Sequence, residues 1–165
     1  MEELMTAYDE TGYEARIVTT KLELEAVFAV RMKVFVEEQK VPPEEELDSY
    51  DDAALHFLIG AQRLTVEGQI TEKFMIVGTA RLIDKEMGTG KIGRVAVLKE
   101  YRGKGLGAKL MRCIEGEASR RGFRRLILEA QVSAIPFYEK LGYVAEGEVF
   151  LDANIEHRLM SKEKI

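Results

Sequence analysis

Cysteine and long apolar runs are the two features that this 165-residue sequence has least of. Its single cysteine, Cys113, excludes an intramolecular disulfide and favours a reducing compartment. No apolar stretch approaches the length that spans a bilayer, and the acidic beginning MEELMTAYDE lacks the basic start and apolar centre of a signal peptide. The sequence therefore predicts a cytoplasmic protein that does not bind a membrane.

An excess of positive charge is also missing. There are 24 Lys and Arg residues against 29 Asp and Glu residues, so the net charge is −5, whereas a nucleic-acid surface has to be basic. Nucleic acid is therefore not expected as a partner. The hydrophobic fraction of 46% and the length fit one globular domain, which we expect over residues 14–163 after a lead-in of residues 1–13.

The order of the predicted elements, βαβββαβαββ, indicates an α/β protein with a mixed, mostly antiparallel sheet flanked by helices. A hairpin turn is predicted at Glu67-Gly68, and the acidic segment 44–52 is predicted to be a loop. Thr20 and Glu23 have the spacing of a capping box at the start of the first helix. The helices are predicted at 20–39, 106–121 and 134–141. The seven strands are predicted at 14–19, 55–64, 74–84, 92–98, 125–130, 143–151 and 155–160.

A glycine-rich turn, RGKGLG at residues 102–107, separates the fourth strand from the helix that follows it. Glycine allows close approach of a ligand and positive φ angles, and the first amides of a helix have no intrahelical acceptor. With the helix dipole these amides form a site suited to phosphate, to which Arg102 and Lys104 would add charged contacts. The alternative is a plain connection with solvated cations.

The same turn does not match two well-known phosphate loops. No Gly-Lys-Ser/Thr closes it, as a Walker loop requires, and Gly107 falls at the wrong spacing for a dinucleotide fingerprint. The residues alone therefore indicate a phosphate ligand without identifying it.

Two separate motifs resemble those of the GNAT N-acetyltransferase superfamily, and the resemblance covers roughly residues 14–162. The first is R-x-x-G-x-G at Arg102, Gly105 and Gly107 after the strand IGRVAV, which is similar to the family's acetyl-CoA pyrophosphate loop. The second is AIPFYEKLGYVAEG, a short helix with Phe-Tyr that ends at Leu-Gly before an aromatic residue. A weaker resemblance to the ElaA-like branch rests on IGRVAV and on Arg31, Phe35, Glu38, Gln39, Glu46, Asp48, Asp51 and His56.

The resemblance implies acetyl-CoA-dependent transfer of an acetyl group to a primary amine, and no metal. The alternative is an acyl-CoA-binding sensor or scaffold without turnover. In the implied fold, the fourth and fifth strands splay apart and the pantetheine arm enters the gap. The residues implied to bind acetyl-CoA are Val95, Ala96, Val97, Arg102, Gly103, Lys104, Gly105, Leu106, Gly107, Ala108, Gln131, Ser133, Phe137 and Lys140.

Particular contacts within that set also follow from the resemblance. Val95 and Val97 would bond the pantetheine amides, and the amide of Ala96 or Val97 would stabilise the developing oxyanion. Ser133 stands where many relatives have an asparagine that contacts pantetheine, so Gln131 is the alternative for that contact.

The implied reaction is attack by an uncharged amine on the thioester, with the CoA thiolate as leaving group. Tyr138 matches the family's general acid, and packing in the core is its alternative role. The strand IGRVAV places Arg94, not an acid, before the cofactor-binding stretch. The base therefore stays open: many family members use a carboxylate or a water chain, and His56 and His157 are the candidates here, each of which also fits a structural role.

The acceptor is predicted to contact Phe35 and Gln39. Its identity is open among a polyamine, an amino sugar, an antibiotic, and the N-terminus or a lysine of a protein, because acceptor specificity resides in variable loops. The acidic surface leans towards a cationic small molecule. A monomer or a homodimer is expected.

Arg31 lies on the apolar stripe of the first helix. We expect it to pair with a buried acid such as Glu38 or Asp48 rather than to contact the acceptor. The acidic segment 44–52 would either be solvated or attract a cationic amine. Cys113 is predicted to pack as a small hydrophobic residue.

Overall fold

A computed structural model of the chain describes residues 12–64, 70–163 and 165. The hairpin turn predicted at Glu67-Gly68 and residues 1–11 of the predicted lead-in lie outside the described residues. The helices are α1 (Lys21–Arg31), which continues as a π-helical segment (Met32–Glu38), α2 (Pro43–Glu46), α3 (Leu106–Arg120) and α4 (Ile135–Lys140). The strands are β1 (Glu14–Ile17), β2 (Leu55–Leu64), β3 (Ile70–Asp84), β4 (Thr89–Val97), β5 (Arg125–Gln131), β6 (Val144–Asp152) and β7 (Ile155–Glu163).

The seven strands form one sheet in the order β1-β2-β3-β4-β5-β7-β6. The pair β4–β5 is parallel and the other neighbouring pairs are antiparallel, which confirms the predicted mixed sheet. The β4–β5 pairing stops at Ile92 opposite Leu128, although β4 continues to Val97 and β5 to Gln131. A gap therefore opens between the ends of these two strands, as predicted.

The gap begins at a β-bulge in β4. Arg81 of β3 pairs with Gly93, and Thr79, two residues earlier, pairs with Ala96, so β4 has one residue more than β3 over this interval. The φ angle of Arg94 is +54°, in the left-handed region that residues other than glycine rarely adopt.

Helix α3 packs against the sheet with the face that its sequence period predicted. Leu106, Leu110, Ile114 and Ala118 are all buried, and Gly122 follows the helix with a φ angle of +87°. Cys113 is half-buried against the same core, which confirms its predicted packing, and burial raises the pKa of its thiol. The strands contribute the remaining core, including Phe57, Ile59, Leu82, Ile92, Leu126, Leu128 and Met160.

The predicted capping box at the first helix is only half formed. Thr20 accepts a hydrogen bond from the Glu23 amide at 3.1 Å, as predicted. The Glu23 carboxylate accepts from the Thr19 amide at 2.9 Å rather than from that of Thr20, because it is held by the Arg16 guanidinium.

The end of the first helix and the acidic segment also differ from the prediction. The α-helical hydrogen bonds give way to a π-helical segment, in which the Gln39 amide bonds to Val34 O, five residues back, at 3.1 Å. Within the segment predicted to be a loop, Pro43–Glu46 forms a short helix, whose first position suits proline. The π-helical segment and helix α2 both place side chains near the gap between β4 and β5.

Candidate active site

A cavity of about 1050 Å³ lies at the gap between β4 and β5. Its wall includes the π-helical segment, the acidic segment and the turn between β6 and β7. Nine of the predicted site residues line it: Phe35, Gln39, Val95, Ala96, Val97, Arg102, Gln131, Tyr138 and His157.

Backbone groups of β4 face the gap. The Leu98 amide bonds to Val77 O in β3 at 2.8 Å. Because backbone groups alternate in direction along a strand, those of Val95 and Val97 point away from β3, towards the gap. The amide of Val97, rather than that of Ala96, is therefore the one directed to the cavity.

The glycine-rich turn presents free amides beside this gap. Gly103 and Gly105 have φ angles of +78° and +77°, and a Cβ added to either would meet nothing within 4 Å. The first intrahelical hydrogen bond of α3 runs from the Lys109 amide to Gly105 O at 3.1 Å. The amides of residues 106–108 therefore have no acceptor within the helix, and the space in front of the glycines is open. This arrangement can hold an anion.

The other predicted cofactor-binding residues take various places around the start of α3. A Cβ on Gly107 would lie 3.2 Å from Phe137 Cζ, so this glycine allows α4 to pack against α3. Leu106 is buried in the core, and Ala108 is half-buried. Three of these residues are exposed and are not among the described residues that line the cavity: Lys104, Ser133 and Lys140.

Arg102 is held by a carboxylate at the end of the π-helical segment. Its two terminal nitrogens bond to both oxygens of Glu38 at 2.7 and 2.8 Å, and its Nε donates to Val97 O at 2.9 Å. The hydrogen bond from Arg102 lowers the pKa of Glu38. Both side chains are more than a third exposed, so water weakens the pair and an anionic ligand can replace it. The expectation that Glu38 pairs with Arg31 is wrong.

Tyr138 both packs in the core and lines the cavity. Its ring packs edge-on against Phe137 at 4.9 Å and Tyr143 at 6.1 Å, and only 8% of the residue is exposed. The residue lines the cavity, and its hydroxyl has no hydrogen-bond partner among the described residues. Burial raises its pKa to about 12, so the hydroxyl keeps its proton near neutral pH and can donate it.

His157 also lines the cavity, and the structure defines its tautomer. Its Nδ1 lies 2.7 Å from Ile155 O, and a carbonyl oxygen can only accept, so Nδ1 carries a proton. In the neutral ring Nε2 is then unprotonated. Phe150 stacks on the imidazole with ring centres 5.9 Å apart. His157 therefore has the geometry of a proton acceptor at the cavity wall.

His56 is placed differently. It is 7% exposed, its Nε2 lies 2.9 Å from Asp51 O, and its ring contacts the edge of Phe28 at 5.6 Å. It is not among the described residues that line the cavity. These contacts fasten the acidic segment to β2, which is the structural role that the sequence left open.

An arginine–carboxylate network, which sequence reasoning largely missed, forms part of the cavity wall. Arg31, 1% exposed, bonds through Nε to Glu46 at 3.0 Å and through Nη1 to Asp51 at 2.7 Å. Its role as a buried ion-pairing residue is confirmed, although its partners are not the two acids predicted. The network consists of Arg31, Arg81, Arg94, Glu46, Asp48 and Asp51.

The other two arginines join the same carboxylates to the sheet. Arg81 of β3 bonds to Asp48 at 2.7 Å and to Asp51 at 2.8 Å. Arg94 of the bulge lies 3.1 Å from Glu46 and 3.2 Å from Asp48. Burial opposes the ionisation of Asp51, but hydrogen bonds from arginines outweigh it and lower its pKa to about 2. Glu46, Asp48 and Asp51 are therefore bound to arginines, and they are neither fully solvated nor free to attract a cation. This corrects both predicted roles for this part of the acidic segment.

Two more polar contacts cross the cavity wall. Gln131 donates to Gln39 at 2.8 Å, so a predicted cofactor-binding residue touches a predicted acceptor-binding residue. Lys91 of β4 pairs with Glu129 of β5 at 3.1 Å. Among the described residues, no group of three or more His, Cys, Asp or Glu side chains is arranged to hold a metal ion. None of the described helices is both long enough and apolar enough to span a bilayer.

Comparisons with known proteins agree with this geometry. Residues 59–164 match the family profile described as acetyltransferase (GNAT) domain. The uncharacterized N-acetyltransferase YjcF of Bacillus subtilis (strain 168) is 38% identical over 151 residues, which cover 91% of this chain and 99% of that protein. An acyl-CoA N-acyltransferase structure from Pseudomonas aeruginosa is 31% identical, with a TM-score of 0.72 over 91% of this chain and 97% of that one. Escherichia coli ElaA shares the fold, with 24% identity and a TM-score of 0.75 over 92% and 99% of the two chains. The chain therefore belongs to the GNAT acetyltransferase family and is an acyltransferase enzyme.

Proposed function

We propose that this enzyme transfers the acetyl group of acetyl-CoA to a primary amine, which attacks the thioester carbonyl directly. The observation that carries the proposal is the gap between β4 and β5, which opens beside the free amides at the start of α3. One cosubstrate with an extended arm and a diphosphate would occupy both features together.

The cosubstrate would bind mainly through backbone groups. The amides of residues 103–108 would hold the diphosphate, where the two exposed glycines leave open space. Lys104 and Arg102 would add charge, the latter by exchanging Glu38 for phosphate oxygens. The pantetheine arm would lie along β4 and bond to Val95 and Val97 in the manner of an added strand.

The reacting groups would meet in the cavity. His157 Nε2 would accept a proton from the attacking amine as the nitrogen–carbon bond forms. The Val97 amide would stabilise the negative charge that develops on the carbonyl oxygen. As the carbon–sulfur bond breaks, the Tyr138 hydroxyl would give its proton to the departing thiolate. The contacts of His56 serve the fold, so it has no part in this proposal.

The acceptor would enter from the side lined by Phe35 and Gln39. The charged side chains of the network neutralise each other, which removes the main argument for a strongly cationic acceptor. We propose a small-molecule or peptide amine, bound by a monomer or a homodimer.

Thiol release from acetyl-CoA with a panel of amines tests the reaction. Tyr138→Phe should lower turnover about 100-fold or more while the Kd for acetyl-CoA stays unchanged, because only the proton donor is lost. His157→Gln should lower turnover at an unchanged Kd for acetyl-CoA, because the proton acceptor is lost. Unchanged turnover in either variant would exclude that residue's proposed role.

Thermal-shift measurements test ligand binding independently of catalysis. Acetyl-CoA should raise the melting temperature of the wild type, whereas ATP and NAD should not, because a ligand stabilises the state that binds it. A wild type that binds acetyl-CoA but releases no thiol with any amine of the panel would support the acyl-CoA-binding sensor instead.

A further inference from the structure

We propose that Arg94 is a positioning residue for the acetyl-CoA site: its side-chain contacts hold the β4 bulge in the conformation that keeps the gap open. The identity of the ligand in this proposal rests on the proposed function, whereas the backbone conformation at issue does not.

The bulge lies where the two strands part. The β4–β5 pairing ends at Ile92, and the additional residue of β4 lies between Gly93 and Ala96. Arg94 occupies this interval with a φ angle of +54°. An L-amino acid disfavours that conformation, because its Cβ crowds the neighbouring carbonyl oxygen. Something other than local preference must therefore maintain it.

The Arg94 side chain supplies that restraint. Its Nε and Nη2 donate to Glu46 O at 3.2 and 3.1 Å, and its Nη2 also donates to Glu45 O at 3.3 Å. Its guanidinium further pairs with the carboxylates of Glu46 and Asp48 at 3.1 and 3.2 Å. Because these contacts occupy the guanidinium, it serves as a tie between β4 and the acidic segment.

The anchor at the other end of this tie is itself fixed. Glu46 is 2% exposed, and Arg31 binds both its carboxylate and its carbonyl oxygen. A movement of residue 94 into the extended conformation would pull its guanidinium away from this anchor. Such a movement would also remove the bulge and turn the backbone groups of Val95 and Val97, which face the gap.

Three variants at one position separate the backbone from the side chain. Arg94→Ala loses the tie but keeps the unfavourable left-handed conformation. Arg94→Gly loses the same tie, but glycine adopts a φ angle of +54° readily. Arg94→Lys keeps the charge with fewer donors. Glu86→Ala is the matched control, since Glu86 is an exposed left-handed residue in the turn before β4.

Two measurements are made on each purified, folded variant. The first is amide hydrogen exchange of residues 90–98 without ligand, and the second is the Kd for acetyl-CoA with the KM for the amine. Arg94→Ala should change the exchange of this segment and raise the Kd about tenfold or more. Arg94→Gly should restore most of the wild-type hydrogen exchange and most of the wild-type Kd. Arg94→Lys should give values between those of the alanine and glycine variants, and Glu86→Ala should match the wild type.

The outcomes that overturn the proposal are distinct from failure of the proposed function. Wild-type exchange and Kd in Arg94→Ala would show that the tie is not needed. Equal losses in the glycine and alanine variants, confined to the amine KM, would show direct contact with the acceptor instead. If the wild type did not bind acetyl-CoA, the proposed function would fail, while hydrogen exchange would still decide the role of Arg94.

Discussion

The two sides of the cavity are built from different parts of the polypeptide. On the cofactor side, the proposed contacts are mostly main-chain amides of one continuous segment, residues 95–108. On the proposed acceptor side, the wall is a network of side chains whose ion-paired members lie from 15 to 48 positions apart in the sequence. A site made of backbone groups depends on local conformation, whereas a side-chain network depends on every segment that contributes to it.

This difference predicts that the acceptor side is the more sensitive of the two to a single substitution. Removing one arginine leaves buried carboxylates without their partner. On the cofactor side, replacing one glycine that has a positive φ angle strains only the exposed turn in which it lies. The substitutions below compare these effects, from the largest expected to the smallest.

Arg31→Met should give the largest loss of stability. It leaves Glu46 and Asp51 buried without this cation, which costs about 3–5 kcal/mol by the usual effect of breaking a buried ion pair. Urea unfolding followed by circular dichroism measures the loss. The control is Arg120→Met, which breaks an ion pair of a side chain that is 69% exposed and should cost less than about 1 kcal/mol. Similar losses in the two variants would contradict the assigned importance of the network.

Acid should weaken the acceptor side next. The pKa of Asp51 is about 2 in the folded protein, below the value of about 3.9 for an unfolded chain. Ionised Asp51 therefore contributes about 2 kcal/mol to the free energy of unfolding at pH values above the unfolded pKa. This contribution is lost as the pH falls through about 4 towards 2.

Urea midpoints over this pH range measure the effect. Glu23, whose pKa Arg16 also lowers to about 2, contributes in the same range, and Glu23→Gln removes that separate contribution. Asp51→Asn should reduce the remaining slope, to which Glu38, Asp48 and Glu117 also contribute because their pKa values are lowered. A slope as steep as that of the wild type would exclude Asp51 as its source.

Gly105→Ala should affect the cofactor side moderately. Alanine disfavours a φ angle of +77° by about 1–2 kcal/mol, and the start of α3 would shift. We expect a lower unfolding free energy and a higher Kd for acetyl-CoA. Gly116→Ala is the control within the same helix, and it should stabilise the protein by about 0.5–1 kcal/mol with an unchanged Kd. A Kd unaltered by Gly105→Ala would argue against an anion site at this turn.

Glu38→Gln should have the smallest effect on stability, less than about 1 kcal/mol, because its pair with Arg102 is exposed. It should lower the Kd for acetyl-CoA about two- to fivefold, since Arg102 no longer has to leave a carboxylate. Isothermal titration calorimetry measures this change. Glu37→Gln, an exposed neighbour, should leave the Kd unaltered, and a weaker affinity in Glu38→Gln would mean that Glu38 orients Arg102 for the ligand.

The sequence was most informative where a local rule applies to adjacent residues. The face of α3, its glycine stop and the glycine-rich turn could all be predicted, because helix period and left-handed glycines are local properties. The capping-box spacing was less successful as a predictor at Glu23, because Arg16 competes for its carboxylate. Sequence reasoning also missed the π-helical end of the first helix, since no local signal distinguishes that segment from an α-helix.

Residues of the site divide in the same way. Tyr138 could be found from its motif, and His157 from its place in the last strand, but only the contact with Ile155 O defines which nitrogen is free. For Arg94, the sequence shows only that an arginine, not an acid, precedes the predicted cofactor-binding stretch. Its bulge and its bonds to residues 45–48 depend on how the acidic segment packs against β4.

The amino-acid order by itself determined the kinds and succession of elements, the family motifs and the glycine-rich turn, because each depends on near neighbours in the chain. Only the tertiary structure decided which carboxylate each arginine binds, which histidine reaches the cavity and where β4 leaves β5. Those outcomes depend on burial and on contacts between distant segments, and a charged side chain binds whichever partner the packed fold brings to it.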